Sequence, residues 1–418
     1  MFKKISLLVV VILTTLFLIQ PASKPARAAV LTWEPMVNLT FTGNRAPGFG
    51  DEHNAFASSM VTFDGYVYVA NLNDTTGTEI WRSSNGTDWE RVNTDGFGDP
   101  GIMLGLGSFA TLAVFDNHLY AFDYLAQEYH INVYRYSSGT AWTNTFSIGD
   151  DSDDNNHMTQ PIATAVYDNS LFISLINTSG IGSDKSTIYK STNGDDWTMV
   201  NDDGFGGNNE DIQSMAVYNN CLYAGTYNIN DGTEVWRFDG TTWVQDNTSG
   251  FGNVKNDNTG TLTSFGGYLY ASIDNSTTGA EVWKTSGGGT NDWTKVSDAG
   301  LGQGTDVLYT YSSVVFKNKL YIGAGAGVSP VKVLRSADGT TWEQVNTNGF
   351  GYDDNIMAIF TVLGDYLYAG TGSLPDYLGG FALTTEIYRY YEPLATVTTL
   401  PQTGFNSPLH AYILDALL

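Results

Sequence analysis

The sequence predicts an all-β fold: a seven-bladed β-propeller of four-stranded blades, with the last blade closed by the N-terminal strand. Three observations lead there. An aromatic residue recurs in a Leu-Tyr type of strand at Tyr68, Tyr120, Phe172, Tyr223, Tyr270, Tyr321 and Tyr368. A tryptophan following a small-residue turn recurs at Trp33, Trp89, Trp142, Trp197, Trp243, Trp293 and Trp342. The two series are out of step, because Trp33 precedes the first strand aromatic and no tryptophan follows Tyr368. Repetition at about fifty residues in short strands marks a propeller. The split unit predicts that both chain ends enter one blade, which leaves no open sheet edge.

Each unit reads alike. The first strand is rich in small residues that suit a crowded axis, as in FASSMVTF, SFATLAVF and DIQSMAVY. Two-residue Asp-Gly, Asp-Asn or Asn-Asn turns lead to the second strand, since these residues accept left-handed backbone. TEIWRSS and TEVWRFD read as third strands, WERVNTD and WTKVSDA as fourth. An aromatic repeated in every unit serves packing, so these rings are expected between blades.

Residues 1–28 read as a secretory signal, with Lys3 and Lys4, the apolar run ISLLVVVILTTLFLI and the small-x-small site Ala26-Arg27-Ala28. Residues 29–393 are the propeller, and 394–418 form a Thr/Pro-rich tail. Without the four basic residues of the signal, 15 Lys and Arg face 44 Asp and Glu. Such an acidic surface excludes nucleic acid and anionic membranes as partners. The expected protein is a secreted or cell-surface monomer with no membrane insertion of its mature domain. Cys221 has no partner for an internal disulfide and reads as a small buried side chain.

The turns SSNGTDW (83–89), STNGDDW (191–197) and SADGTTW (336–342) resemble the Asp-box repeats of sialidase-like secreted propellers, shortened by one residue. The Tyr and Trp spacing is also similar to that of kelch repeats, with Ala-Gly-Thr where kelch carries Gly-Gly. In the tail, Leu400-Pro401-Gln402-Thr403-Gly404 resembles an LPxTG sorting signal, without the spanning apolar segment and basic end that follow one. The tail is therefore expected to be a truncated or degenerate anchor.

Likeness to sialidases implies three clustered arginines that hold a carboxylate. Here Arg82, Arg135, Arg237, Arg335 and Arg389 occupy one place in five different units, so they ring the molecule instead of converging. Glu79, Glu234, Glu281 and Glu386 likewise recur at the entry to the third strand, where a structural partner is expected. No metalloprotease, nucleophile-elbow or P-loop motif occurs. The leading expectation is a non-enzymatic propeller that binds a glycan or an extracellular protein through a polar loop face.

Candidate binding residues in the loops after the second strands are Asn73, Asp74, Asn228, Asp231 and Asp274, with Tyr124, Tyr129 and Tyr377 as stacking aromatics. Calcium is a possible cofactor, with Asp150, Asp151, Asp153 and Asp154 as candidate ligands, although the run lacks EF-hand spacing. The rival reading is a glycoside hydrolase or lyase acting at the axial channel. It requires a non-repeated carboxylate pair, sought first among Asp51, Glu52, Glu210 and Asp211. A third reading is a structural spacer in a cell envelope.

Overall fold

In the computed structural model, which describes residues 32–37, 48–51, 53–98, 109–125, 130–148, 158–178, 185–372 and 384–392, the short turns adopt the backbone their residues favour. Asp64-Gly65, Asp116-Asn117, Asp168-Asn169 and Asn219-Asn220 all have φ between 45° and 78°. This is the left-handed geometry that lets a two-residue turn follow strand twist. Around these turns the chain folds into antiparallel four-stranded meanders.

Meander A comprises Asn54–Phe63, Tyr66–Asn73, Glu79–Ser83 and Glu90–Arg91; B comprises Phe109–Phe115, His118–Leu125, His130–Ser138 and Ala141–Ile148. C holds Met158–Tyr167, Ser170–Thr178, Lys185–Ser191 and Thr198–Met199; D holds Asp211–Tyr218, Cys221–Tyr227, Val235–Phe238 and Trp243–Gln245. E is built from Asn258–Phe265, Tyr268–Asp274, Glu281–Thr285 and Trp293–Lys295; F from Tyr309–Phe316, Lys319–Gly325, Lys332–Ser336 and Glu343–Gln344. G takes Met357–Leu363, Tyr366–Gly372 and Ile387–Tyr391, and the N-terminal strand Trp33–Pro35 completes it. There Trp33 lies opposite Tyr390 and Pro35 opposite Tyr388. The expected meeting of the two chain ends is therefore observed.

First strands pack against one another in succession, and that of G returns to that of A. Side-chain hydroxyls lace neighbours together. Ser58 donates to Ala110 O (2.8 Å), Thr111 to Pro161 O (3.0 Å), Ser174 to Ile212 O (2.9 Å), Ser214 to Thr259 O (2.9 Å) and Thr62 to Val362 O (2.7 Å). The architecture is all-β and propeller-like, and no α-helix occurs among the described residues. Small hydroxyl residues on these strands thus bond the crowded centre as well as fit it.

The repeated strand aromatics are buried, none above 4 % exposure. In A, C and F the turn after the third strand is held by a serine and an Asx side chain. Ser83 accepts from Gly86 N (2.8 Å), while Asn85 Oδ1 accepts from Thr87 N and Asp88 N (both 2.9 Å). Ser191 with Asn193, and Ser336 with Asp338, repeat the arrangement. The glycine of each turn rests on the strand aromatic of the preceding meander. A Cβ at Gly194 would lie 2.2 Å from Tyr120 Oη, and one at Gly339 would lie 2.3 Å from Tyr270 Oη.

Meanders B, D and G instead place Tyr136, Phe238 and Tyr390 where A has Ser83. Their tryptophans reach back to the preceding meander, Trp142 to Val92 O (2.8 Å), Trp243 to Val200 O (3.0 Å) and Trp33 to Val345 O (3.1 Å). Trp89 and Trp197 bond the glycine carbonyl of their own turn. One sequence marker therefore serves two packing modes. Cys221, expected to be buried, is a half-buried free thiol.

Loops entering the meanders follow a common rule. In each Gly-Phe-Gly loop the phenylalanine takes left-handed backbone, φ 51–58° at Phe49, Phe97, Phe205, Phe251 and Phe350. Its ring stacks on a third-strand aromatic: Phe49 on Trp81 at 4.7 Å, Phe205 on Trp236 at 4.6 Å, Phe350 on Tyr388 at 4.2 Å. Backbone of this kind costs a branched or bulky residue about 1–2 kcal/mol, and the stacking of the half-buried ring offsets it. Leu301 takes the same conformation before meander F, at φ 55°.

Gly194→Ala is expected to cost about 2–4 kcal/mol, because strained backbone and overpacking against Tyr120 add. Gly65→Ala, at φ 78° with nothing within 4 Å of its Cβ, should cost about 1 kcal/mol from backbone alone. Chemical denaturation of the two variants measures the difference, which equal losses would contradict.

Candidate functional site

The recurring glutamates are structural. Glu79, Glu234, Glu281 and Glu386 each accept from a loop asparagine: Asn54 (3.1 Å), Asn209 (2.8 Å), Asn256 (3.1 Å) and Asn355 (2.6 Å). Each also accepts from a third-strand ring, through Trp81 (2.8 Å), Trp236 (2.9 Å), Trp283 (2.9 Å) or Tyr388 (2.6 Å). Those asparagines donate again to the glycine carbonyl that opens the loop. The arginines are spoken for locally: Arg82 meets Glu90 (2.7 Å), Arg237 Asp246 (3.1 Å), Arg335 Glu343 and Arg389 Glu34 (3.0 Å). These four lie in four different meanders.

Loop candidates divide by burial. Asn73 and Asn228 are 0 % and 1 % exposed, and their carbonyl oxygens hold the Thr75–Thr76 and Asn230–Asp231 turns. They shape loops and have no face for a ligand, contrary to the sequence expectation. Tyr124 is also corrected, since only 3 % of it is exposed and its ring cannot stack on a sugar. Asp74 sits 2.7 Å from His53 Nδ1, and exposed Asp231 accepts from Asn208 (3.1 Å). Asp51 accepts from His53 N (2.9 Å) and Asn73 Nδ2 (3.2 Å), so it braces its loop. Asp51 thus belongs to the loop entering A, whereas Asp211 opens the first strand of D. Glu52, Tyr129, Tyr377, the Asp150–Asp154 run and Leu400–Gly404 lie outside the described residues.

The structure instead joins Asp211 to Asp274. Asp211 opens the first strand of D and stands opposite Tyr227; Tyr227 stands opposite Asn258 of E; Asn258 stands opposite Asp274. Directly opposed residues share a sheet face, so the four form one polar row near the axis. Bulges refine it. The bulge in D frees Gln213, whose amide donates to Asp211 Oδ2. The bulge in E falls at Gly260, where a Cβ would lie 2.3 Å from Thr310 Oγ1 and 3.0 Å from Asp274 Oδ1. That bare backbone lets Thr310 of F bond Asp274 through N and Oγ1, both at 2.9 Å, while Asn258 Nδ2 donates to Asp274 Oδ2 at 2.9 Å.

Burial pushes the Asp211 and Asp274 carboxyls up to about 7. Burial likewise raises Tyr311, the bulge residue of F, to about 12. Two acceptor atoms in the row are buried without a donor, Asp211 Oδ1 and Asn258 Oδ1. Orphaned acceptors of this kind call for a donor from outside the protein. Three strand spacings of about 4.8 Å put roughly 14 Å between the Asp211 and Asp274 backbones. Among the described residues no cluster of three or more His, Cys, Asp and Glu side chains forms a metal site. No helix among them is long and apolar enough to cross a membrane.

Sequence reasoning named both aspartates in different lists and missed Tyr227, Asn258, Thr310 and Tyr311. The available signal was departure from the repeat. Four residues past the strand aromatic stand Leu72, Tyr124, Ile176, Tyr227, Asp274, Gly325 and Gly372, with a single carboxylate among them.

No protein-family model and no curated protein matches this chain. Among solved structures, a prolyl endopeptidase matches 77 % of it with 46 % of its own chain, at 10 % identity and a TM-score of 0.51. The chain thus spans about half the length of that enzyme. The phage phi92 endosialidase matches over 90 % of this chain and 71 % of its own, at 10 % identity and a TM-score of 0.46. Hadza microbial sialidase Hz136 matches over 82 % and 67 %, at 13 % identity and a TM-score of 0.46. Likeness at such identities concerns the path of the chain and not its chemistry.

The raised carboxyls set a pH dependence with a definite sign. Between about pH 4 and 7 the unfolded chain releases two protons that the folded chain keeps, so stability falls as pH rises. Each group is expected to contribute on the order of 2–4 kcal/mol. Asp239 and Asp338, held down by backbone N–H groups of their turns, act oppositely and only below that window. Melting curves of Asp211→Asn and Asp274→Asn should be flatter than wild type from pH 4 to 7; unchanged slopes would exclude buried protonation.

Proposed function

We propose that the chain is a secreted or cell-surface seven-bladed propeller, with meanders A to G as its blades, that binds a glycan without transforming it. The polar row carries this reading. Two donorless acceptors, a half-buried Tyr227 ring and two carboxyls stand together near the axis. Sugar hydroxyls supply the donors that Asp211 Oδ1 and Asn258 Oδ1 lack, and tyrosine faces suit pyranose rings. The serine–Asx turns of A, C and F support kinship with Asp-box propellers. The acidic composition supports an extracellular monomer that neither binds nucleic acid nor inserts in membranes. The tail motif supports surface attachment.

One observation favours the rival enzyme reading. Carboxyls near 7 at Asp211 and Asp274 can hold or release a proton at neutral pH. Both Asp274 oxygens are already bonded by Thr310 and Asn258, so binding remains the conclusion.

A glycan array probed with the full chain, followed by calorimetry on the best hit, tests it. Tyr227→Ala and Asn258→Ala are expected to weaken binding at least tenfold. Undiminished binding by both variants would remove the site from the row. Turnover of the bound glycan that Asp211→Asn abolishes would replace the binding reading with the enzymatic one.

A further inference from the structure

A second site lies at the other end of the strands, between meanders A and B. A cavity of about 730 Å³ opens there, lined among others by Tyr68, Arg82, His118, Arg135, Tyr136 and Ser138. That volume is ample for a sugar or two. Its origin is a break in the repeat. At the A, C and F turns a glycine seals the preceding strand aromatic, with Cβ positions only 2.2–2.7 Å from the ring. The B turn has Tyr136 in place of the serine and Ser138 in place of the Asx residue. Tyr136 Oη donates to Gly139 O at 3.2 Å, and a Cβ at Gly139 would meet nothing within 4 Å. The glycine of this turn stands away from Tyr68, and the Tyr136 ring covers Tyr68 in its place, edge to face at 6.0 Å.

Cationic groups line the gap. Arg82 is clamped: its Nη1 donates to Tyr136 Oη (3.0 Å) and Tyr68 Oη (3.3 Å), Glu90 holds Nε (2.7 Å), and its guanidinium lies 4.5 Å over the Tyr66 ring. Arg135 is held by Asp195 through one terminal nitrogen (3.0 Å) and keeps 31 % of its side chain exposed. His118 Nδ1 donates to Asp116 O (2.7 Å), which leaves Nε2 for other partners. Asp64 is the acidic group in the lining. In a chain of net charge −25, the lining gathers two guanidinium groups, each paired with one carboxylate, together with an imidazole and Asp64, and Arg135 keeps the more exposed guanidinium of the two.

We propose that this cavity is a separate binding site for an acidic saccharide, whose carboxylate or sulfate ester meets Arg135 and His118 while its ring hydroxyls meet the exposed Ser137 and Ser138. Planar guanidinium groups pair well with such oxyanions. The inference is independent of the axial row, which lies at the opposite ends of the strands.

Calorimetry of the full chain with trigalacturonate, a sulfated galactotriose and neutral galactotriose tests it. At least one anionic sugar is expected to bind tenfold or more tighter than the neutral one. Arg135→Gln should abolish that preference. Ser138→Trp, in an exposed turn where folding is not at stake, should block binding by filling the cavity. Tyr227→Ala should leave it unchanged, which separates this site from the axial one. Equal affinity for charged and neutral sugars, no binding of either anionic sugar, or undiminished binding by Ser138→Trp would each overturn the proposal.

Discussion

Each buried glutamate at a third-strand entry would be a severe cost if left unpaired, because an ionised carboxylate removed from water loses several kcal/mol of solvation. It is answered by an asparagine six or so positions into the preceding loop, and by an indole or phenol two residues along its own strand. The asparagine in turn bonds the glycine carbonyl that opens the loop. Loop path, ring stacking and strand entry are therefore solved together. Meander F illustrates the constraint by breaking it consistently. Lys332 replaces the glutamate, Asp306 replaces the asparagine, and the pair meets at 3.2 Å. The anion became a cation and the neutral amide became an anion, and the contact survived.

This bracing has a consequence for function. Carboxylates and guanidiniums that look reactive in the sequence are mostly consumed in holding units together. What is left for recognition is what departs from the repeat. The polar row on D, E and F uses residues at positions that are apolar or glycine in most other units. Strand bulges aim Gln213 and Tyr311 there and set Gly260 where nothing larger fits. A repeated scaffold thus exposes its site by asymmetry, and two acceptors without donors mark the place where the protein's own bonding is incomplete.

The tryptophan series shows how one marker can conceal two structures. After a serine or threonine the turn closes on itself and its glycine covers a neighbouring tyrosine. After an aromatic the serine or threonine bond is lost, and the tryptophan bonds a backbone carbonyl of the preceding meander. The B turn follows the second mode with a two-residue connection that stands clear of Tyr68, and a cavity results. Interfaces between units are consequently unequal, although the sequence period is nearly constant.

The sequence alone determined the all-β class, the order of strands, the turn positions and the meeting of the chain ends, because these follow from local propensity and from a period that any copy reveals. It also determined that the glutamates and arginines of the repeat cannot all be catalytic. Only the tertiary structure decided that Asp211 and Asp274 belong to one row. They lie 63 residues apart on strands of different units, and one backbone pairing, Tyr227 with Asn258, connects them. Tertiary structure also withdrew Asn73, Asn228 and Tyr124 from the ligand-facing set, since burial depends on neighbours that no local pattern encodes. A polar loop residue reads the same in sequence whether it faces solvent or closes its own turn, and packing alone separates the two.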